Sequence, residues 1–206
     1  MQVLVATTNR NKLREVRTIL AGEPIELVGL DAFPGLDEPE EHGTTFAENA
    51  RAKARYYSIG SGLPAVAEDS GLEVDGLDGG PGVHSARYGG PAAIEYADKF
   101  ALIYAGLRAR GRDGSTARFV CALAVASGDR ILFEARGTIE GELTPSPRGS
   151  AGFGYDPIFL YPPLGRTLAE LTEAEKSVVS HRGQAFRALR AWLSEHGARA
   201  LDVGRT

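Results

Sequence analysis

The chain predicts an α/β fold with a mixed sheet, and three patterns point to it. Short apolar runs of strand length alternate with segments whose apolar residues recur at helical spacing. Two of those runs, Phe119 to Ala126 and Ile131 to Ile139, are separated by little more than Ser127-Gly-Asp-Arg130, which predicts an antiparallel hairpin within the alternating order. The 206 residues, 43% of them hydrophobic, suffice for one compact domain over residues 1–206 or two closely packed lobes of it, with a real core and no separable linker.

Val3 to Ala6 reads as a buried strand, and Leu13, Val16 and Leu20 fall on one face of a helix after it. A loop rich in Pro, Gly and acid, DAFPGLDEPEEHG, leads to Thr45 and Glu48, which have the spacing of a capping box for a helix running to about Ser58. Leu63 to Ala67 reads as a strand, Leu72 and Val74 as a second one, and Gly76 to Gly82 as irregular. Tyr96, Phe100, Ile103 and Leu107 form a core-facing stripe on a helix between Ala92 and Arg110. After the hairpin comes a long loop, then a short strand from Ile158 to Leu160. A last helix follows Ser180, its N-cap, with Ala185, Phe186, Leu189, Trp192 and Leu193 on its apolar face.

Composition excludes several classes of function. With 23 Lys and Arg against 27 Asp and Glu, the net charge of -4 speaks against a surface devoted to nucleic-acid polymers. The single Cys121, in the run FVCALAVA, reads as a small buried hydrophobe and rules out an intrachain disulfide. No apolar run approaches membrane-spanning length and the start MQVLVATT lacks a basic n-region, so a cytoplasmic protein is expected.

Three clusters carry chemistry. The first is cationic: Lys12, in the first turn of a helix after Asn9, and His181 with Arg182 stand where the helix macrodipole disfavours positive charge. An anion shared by the two helix starts, with Arg10 and Lys176 adding charge nearby, explains both better than solvated surface residues do. The second is acidic: Glu38, Glu40 and Glu41 in the loop, and Glu68 and Asp69 at the end of the strand LPAVA. Mg²⁺ takes one or two carboxylates with water and phosphate completing its shell. Strand alternation sends Glu68 and Asp69 to opposite faces, so one of them serves a given site. Asp69, ahead of Ser70 and Gly71, sits where open α/β sheets bind ligands. The third is GFGYDP, where Phe153 and Tyr155 offer aromatic faces to a nucleobase and Asp156 an acceptor.

The stretches ATTNRNKLREV, EEHGTTFAENARAKA, AEDSGLEVDGLDGGPGVHSARYGG, GFGYDPIF and AEKSVVSHRGQA, in that order from Ala6 to Ala185, closely resemble the inosine triphosphate pyrophosphatases, which act on dITP, XTP and other non-canonical purine nucleoside triphosphates. The resemblance implies a long mixed β-sheet flanked by helices, in two lobes around a central nucleotide-binding cleft, and a homodimer. It implies Mg²⁺-dependent hydrolysis to the nucleoside monophosphate and pyrophosphate. Thr7, Thr8, Asn9, Arg10, Asn11 and Lys12 would bind the triphosphate, and Glu40 and Asp69 the metal, with Asp69 also the general base. Ser70, Phe153, Gly154, Tyr155, Asp156, Lys176, His181 and Arg182 would complete the substrate pocket. This chain has Glu68-Asp69 where many members have two aspartates. The rival reading is a nucleotide sensor that binds without cleaving.

Overall fold

In the computed structural model, which describes residues 1–93 and 95–201, the strands are β1 (Gln2–Val5), β2 (Glu26–Gly29), β3 (Ala65–Val74), β4 (Thr116–Ser127), β5 (Arg130–Leu143), β6 (Phe159–Tyr161) and β7 (Arg166–Thr167). They form one sheet in the order β2-β1-β3-β4-β5-β6-β7. β1 pairs in parallel with β2 and β3, while β6 pairs antiparallel with β5 and β7, so the mixed sheet is borne out. The helices are α1 (Arg10–Ile19), α2 (Phe46–Ser61), α3 (Tyr96–Ala109), α4 (Glu173–Val179) and α5 (His181–His196).

The chain divides into two compact units. The first comprises residues 1–69, 121–137 and those from Arg182 onward; the second comprises 70–120 and 138–181. In the first, Val3, Val5 and Val66 pack with Cys121, Leu123 and Val125 and with Val16 and Ile19 of α1 and Phe186, Leu189 and Leu193 of α5. β4 is buried almost without interruption, as a strand covered on both faces must be. In the second, Phe100, Ile103 and Leu107 of α3 pack on Leu72, Val74, Phe119, Ile139 and Phe159. The helical stripe read from the sequence is therefore core, with Tyr96 left at its exposed edge.

The structure departs from expectation in five places. β2, β7 and α4 are not among the elements the sequence predicts; β2 is short and half-exposed and β7 has only two residues, so their apolar signal is thin, while α4 starts at a capping box, Thr172 with Glu175. α3 begins at Tyr96, because Gly90–Ala92 forms a separate 3-10 turn. The largest correction is β3. It does not break after Asp69: Ala65–Val74 is one continuous strand, and Ser70 and Gly71 continue it instead of turning. The polar Glu-Asp-Ser-Gly run reads as a break by composition, but each group finds a partner. The Ser85 hydroxyl accepts from the Leu72 N–H at 2.9 Å, and a Cβ on Gly71 would collide with Ser85 and the Gly82 carbonyl, so only glycine fits there.

The Thr45 hydroxyl accepts from the Glu48 N–H at 3.2 Å and the Glu48 carboxylate accepts from the Thr45 N–H at 3.1 Å, so the predicted capping box is formed. Thr45→Ala is expected to lower stability by about 1 kcal/mol, whereas Phe186→Ala, which empties a fully buried site in the first core, is expected to cost about 3–5 kcal/mol. Urea denaturation of the two variants checks both values.

Candidate active site

The turn after β1 is organised by Asn9. Its side-chain oxygen caps α1, accepting from the N–H of Asn11 at 2.9 Å and of Lys12 at 3.3 Å. Two of the donors that a helix start leaves unpaired are thus already engaged. Thr7 contributes a further link, its hydroxyl accepting from the Asn9 N–H at 3.2 Å. Thr8, Arg10 and Asn11 are exposed, and Thr7, Asn9 and Lys12 are half-buried.

β3 passes behind this turn and its alternation separates the two acids, as the sequence predicted. Glu68 meets Lys12 Nζ at 2.7 Å, the Arg182 guanidinium at 3.3 Å and the Cys121 thiol at 3.2 Å. Arg182, 2% exposed, also reaches Glu15 at 2.8 Å. Lys12 and Arg182, cations at two helix starts, thus share the Glu68 carboxylate. Burial pushes the Glu68 carboxyl up, but the Arg182 and Lys12 charges and the hydrogen bonds from Lys12 and Cys121 outweigh it and hold it well below the usual range. The Cys121 thiol is pushed well up, by burial and by Glu68, and stays protonated as a donor.

Asp69 faces α2. The Asn49 amide donates to it at 2.9 Å while accepting from the Gly43 N–H at 2.8 Å, so one side chain fastens the acidic loop to the strand. Lys53, one turn further along α2, stands 3.5 Å from Asp69 and 2.6 Å from Glu41. Burial raises the Asp69 carboxyl, with the Lys53 charge and the Asn49 hydrogen bond opposing it; the net direction is up. Of the loop glutamates it is Glu41 that Lys53 links to Asp69. Glu40, the expected ligand, lies 85% exposed against His42 at 3.2 Å. Asn49 and Lys53 escaped the sequence reading, although their i, i+4 spacing behind the Thr45 cap places them on one helix face.

Within the second unit, Phe153, Asp156 and Lys176 come together. The Lys176 ammonium lies 2.5 Å from Asp156 and 4.5 Å from the Phe153 ring centroid, and the Asp156 carboxylate also accepts from the Phe153 N–H at 2.7 Å. Gly152 and Gly154 adopt φ of +73° and +68°, which lets the loop fold back over Asp156. Tyr155 is packed down: its ring stands edge-on to Tyr96 at 5.2 Å and its hydroxyl donates to the Ser85 carbonyl at 2.8 Å. Phe153 is thus the aromatic of the pair that keeps partial exposure. His181 is buried and stacks on Phe119 at 4.9 Å. Ser70 is half-buried on β3.

A hard divalent cation is held by carboxylate oxygens, with water and substrate phosphates filling its shell. Among the described residues no group of three or more His, Cys, Asp and Glu has metal-holding geometry. A site with one or two protein ligands needs none. Asp69 and Glu41 already converge on a cation, the Lys53 ammonium, and their donor set fits such an ion.

A mixed sheet carrying a polar capped turn after its first strand, a buried strand carboxylate and a loop of aromatic, aspartate and lysine defines a nucleotide-handling α/β protein. Residues 3–192 match the model of the Ham1 family, and the chain belongs to that family. A dITP/XTP pyrophosphatase of an Exiguobacterium species is 46% identical over 191 residues, 93% of this chain and 96% of the relative. Another, from Geobacter sulfurreducens, is 46% identical over 95% of this chain and 98% of its own. Among solved structures, a HAM1 protein from Coxiella burnetii superposes with a TM-score of 0.89 at 38% identity, covering 95% of this chain and 99% of its own. The reading as a non-catalytic sensor finds no support in these relatives.

Glu68→Gln is expected to cost about 3–5 kcal/mol at neutral pH, because it leaves buried cations short of their counter-charge. A carboxyl lowered in the folded state stabilises above its unfolded value of 4.5 and loses that contribution as pH falls below it. The gap between wild type and variant in urea melts should therefore be full at pH 7 and close in acid.

Proposed function

We propose that the chain hydrolyses non-canonical purine nucleoside triphosphates, ITP, dITP and XTP, at the α-phosphate to the nucleoside monophosphate and pyrophosphate, removing them from the nucleotide pool. The observation that carries this is Asp69: a buried carboxylate gripped by Asn49 and facing the Lys53 cation, on a chain whose full-length relatives bear the name dITP/XTP pyrophosphatase.

Mg²⁺ is the proposed cofactor, held by Asp69 and a loop glutamate, and the placement beside Lys53 favours Glu41 over the expected Glu40. When bound it would neutralise charge developing on the phosphates and acidify water. Asp69 orients the attacking water and takes its proton; Asn49 keeps the carboxylate turned for this. Lys12, with Thr7 to Asn11, takes the β- and γ-phosphates, and Glu68 retains Arg182 as its counter-ion when Lys12 turns to the substrate. Ser70 contacts substrate beside Asp69.

Phe153 packs on the base, while Lys176, His181 and backbone N–H groups donate to the 6-oxo group that hypoxanthine and xanthine share. The amino group of adenine cannot accept from such donors, which would leave buried groups unpaired with ATP. Gly154 and Tyr155 shape the loop and Asp156 anchors Lys176. Arg182, fully engaged by two glutamates, supports the site from beneath. The protein is further proposed to act as a cytoplasmic homodimer; among the described residues no helix is long and apolar enough to cross a membrane.

Incubation with ITP and Mg²⁺ should release IMP and pyrophosphate, and release of IDP and phosphate would overturn the reading. Asp69→Asn is expected to lower kcat by at least about 10²-fold with nucleotide binding retained. Glu41→Gln should raise the Mg²⁺ concentration needed for half-maximal rate, and Glu40→Gln should leave it unchanged; the reverse result restores Glu40 as the ligand.

A further inference from the structure

Lys99 of α3 is 5% exposed, and among the described residues no carboxylate pairs with it. A buried ammonium without a counter-ion is costly, and lysine is seldom buried in that state. Methionine would fill the same space without the cost, so packing alone does not account for the charge. The Lys99 Nζ donates to the Ala86 carbonyl at 2.5 Å and stands 4.6 Å from the centroid of the Tyr96 ring. That carbonyl is among the last in the 3-10 turn Gly82–Arg87, where helix carbonyls lack internal partners and a lysine can supply one. The ring offers its electron-rich face, which attracts a cation.

Both partners of Lys99 lead to the loop that carries Phe153. Tyr96 stands edge-on to Tyr155 at 5.2 Å, and a Cβ on Gly154 would lie 3.7 Å from the Tyr96 ring. Burial, and secondly the charge of Asp156, push the Tyr96 hydroxyl up, which places that carboxylate close by as well. Ser85, the neighbour of Ala86, accepts the Tyr155 hydroxyl on its carbonyl at 2.8 Å. The Ser85 hydroxyl donates to the Gly82 carbonyl at 2.7 Å and accepts from the N–H of Leu72, two residues beyond Ser70 on β3. One turn of chain, gripped by Lys99 and by Tyr155, therefore ties the loop to the strand. All of these groups belong to the second unit.

We propose that Lys99 is a positioning residue for base recognition: by gripping Ala86 and the Tyr96 face together, it holds the loop of Phe153 where that ring and Lys176 meet a purine, without touching the substrate itself. The inference rests on the proposed reading of that loop as the wall that binds the base. Asp156 holds both the Phe153 N–H and Lys176, so the whole cluster follows the loop. A slackened loop loses the aim of its donors toward a 6-oxo group. That loss weakens ITP and leaves ATP, which has no 6-oxo acceptor, little affected, so Lys99 acts on the choice of base.

Lys99→Met removes the charge and keeps the volume. In steady-state hydrolysis it should raise KM for ITP by about fivefold, the scale of one hydrogen bond, and lower the ITP-over-ATP ratio of kcat/KM by a similar factor. The kcat for ITP should change little. The urea midpoint should equal or exceed that of the wild type, because a buried unpaired cation is gone. Tyr96→Leu should reproduce the kinetic change and Tyr96→Phe, which keeps the ring, should not. The double variant Lys99→Met/Tyr96→Leu should be no worse than either single one, since both break the same chain of contacts. An unchanged KM and base preference in Lys99→Met, a lowered midpoint with ITP and ATP affected alike, or additive effects in the double variant would each overturn the proposal. Hydrogen exchange of the amides of residues 152–156 reads the hold on the loop without turnover: it should quicken in Lys99→Met and Tyr96→Leu, and unchanged exchange overturns the proposal. If the wild type releases no pyrophosphate from ITP, the proposed function fails, and the exchange result alone decides whether Lys99 holds the loop.

Discussion

The first unit is organised around one buried carboxylate. Glu68 lies on a fully covered strand, where an isolated negative charge would cost several kcal/mol, and it is tolerated because Lys12, Arg182 and the Cys121 thiol converge on it. That convergence brings together the starts of α1 and α5, which are distant in sequence, and makes sense of two cations placed where the helix macrodipole alone would reject them. It also fixes the two cations: Lys12 stands beside the capped turn, and Arg182 is held through Glu15 as well. The two methylenes of the Glu68 side chain give the reach with which it gathers these partners.

The neighbouring Asp69 shows how a period of two divides labour along a strand. One residue further on, the side chain leaves the Glu68 network and meets α2, where Asn49 and Lys53 give it a hydrogen-bond donor and a cation. One acid is thus held ionised by two cations, while the other is raised by burial against a weaker opposition. Two adjacent carboxylates thus acquire different proton affinities from their surroundings alone. Asn49 adds a constraint on the loop, since it binds both Asp69 and the Gly43 backbone.

The second unit repeats the theme of a buried acid with one cation. Asp156 holds Lys176 and the Phe153 backbone, so the aromatic ring and the ammonium present a common face. The sequence motif GFGYDP contained these groups but not their division of roles. Two aromatics flanking a glycine look equivalent on paper; packing against Tyr96 and Phe100 removes Tyr155 from the surface and leaves Phe153 half-exposed.

Local pattern was enough for the α/β class, the hairpin at Gly128, the Thr45 cap, the core stripe of α3 and the opposite facing of Glu68 and Asp69, because each depends on periodicities of 3.6 or 2 or on turn and cap chemistry read over a few residues. The Asn9 cap at the start of α1 was legible in the same way, from residue type and order. Long-range pairing lay beyond that reach. No local rule could say that the polar Glu68 to Gly71 run continues a strand, since the partners that allow it, Lys12, Arg182, Cys121 and Ser85, arrive from four separate parts of the chain. The choice of Glu41 over Glu40 beside Lys53 is of the same kind. Burial of charge is decided by what the fold brings to it, and that is a property of three-dimensional proximity that spacing along a chain does not encode.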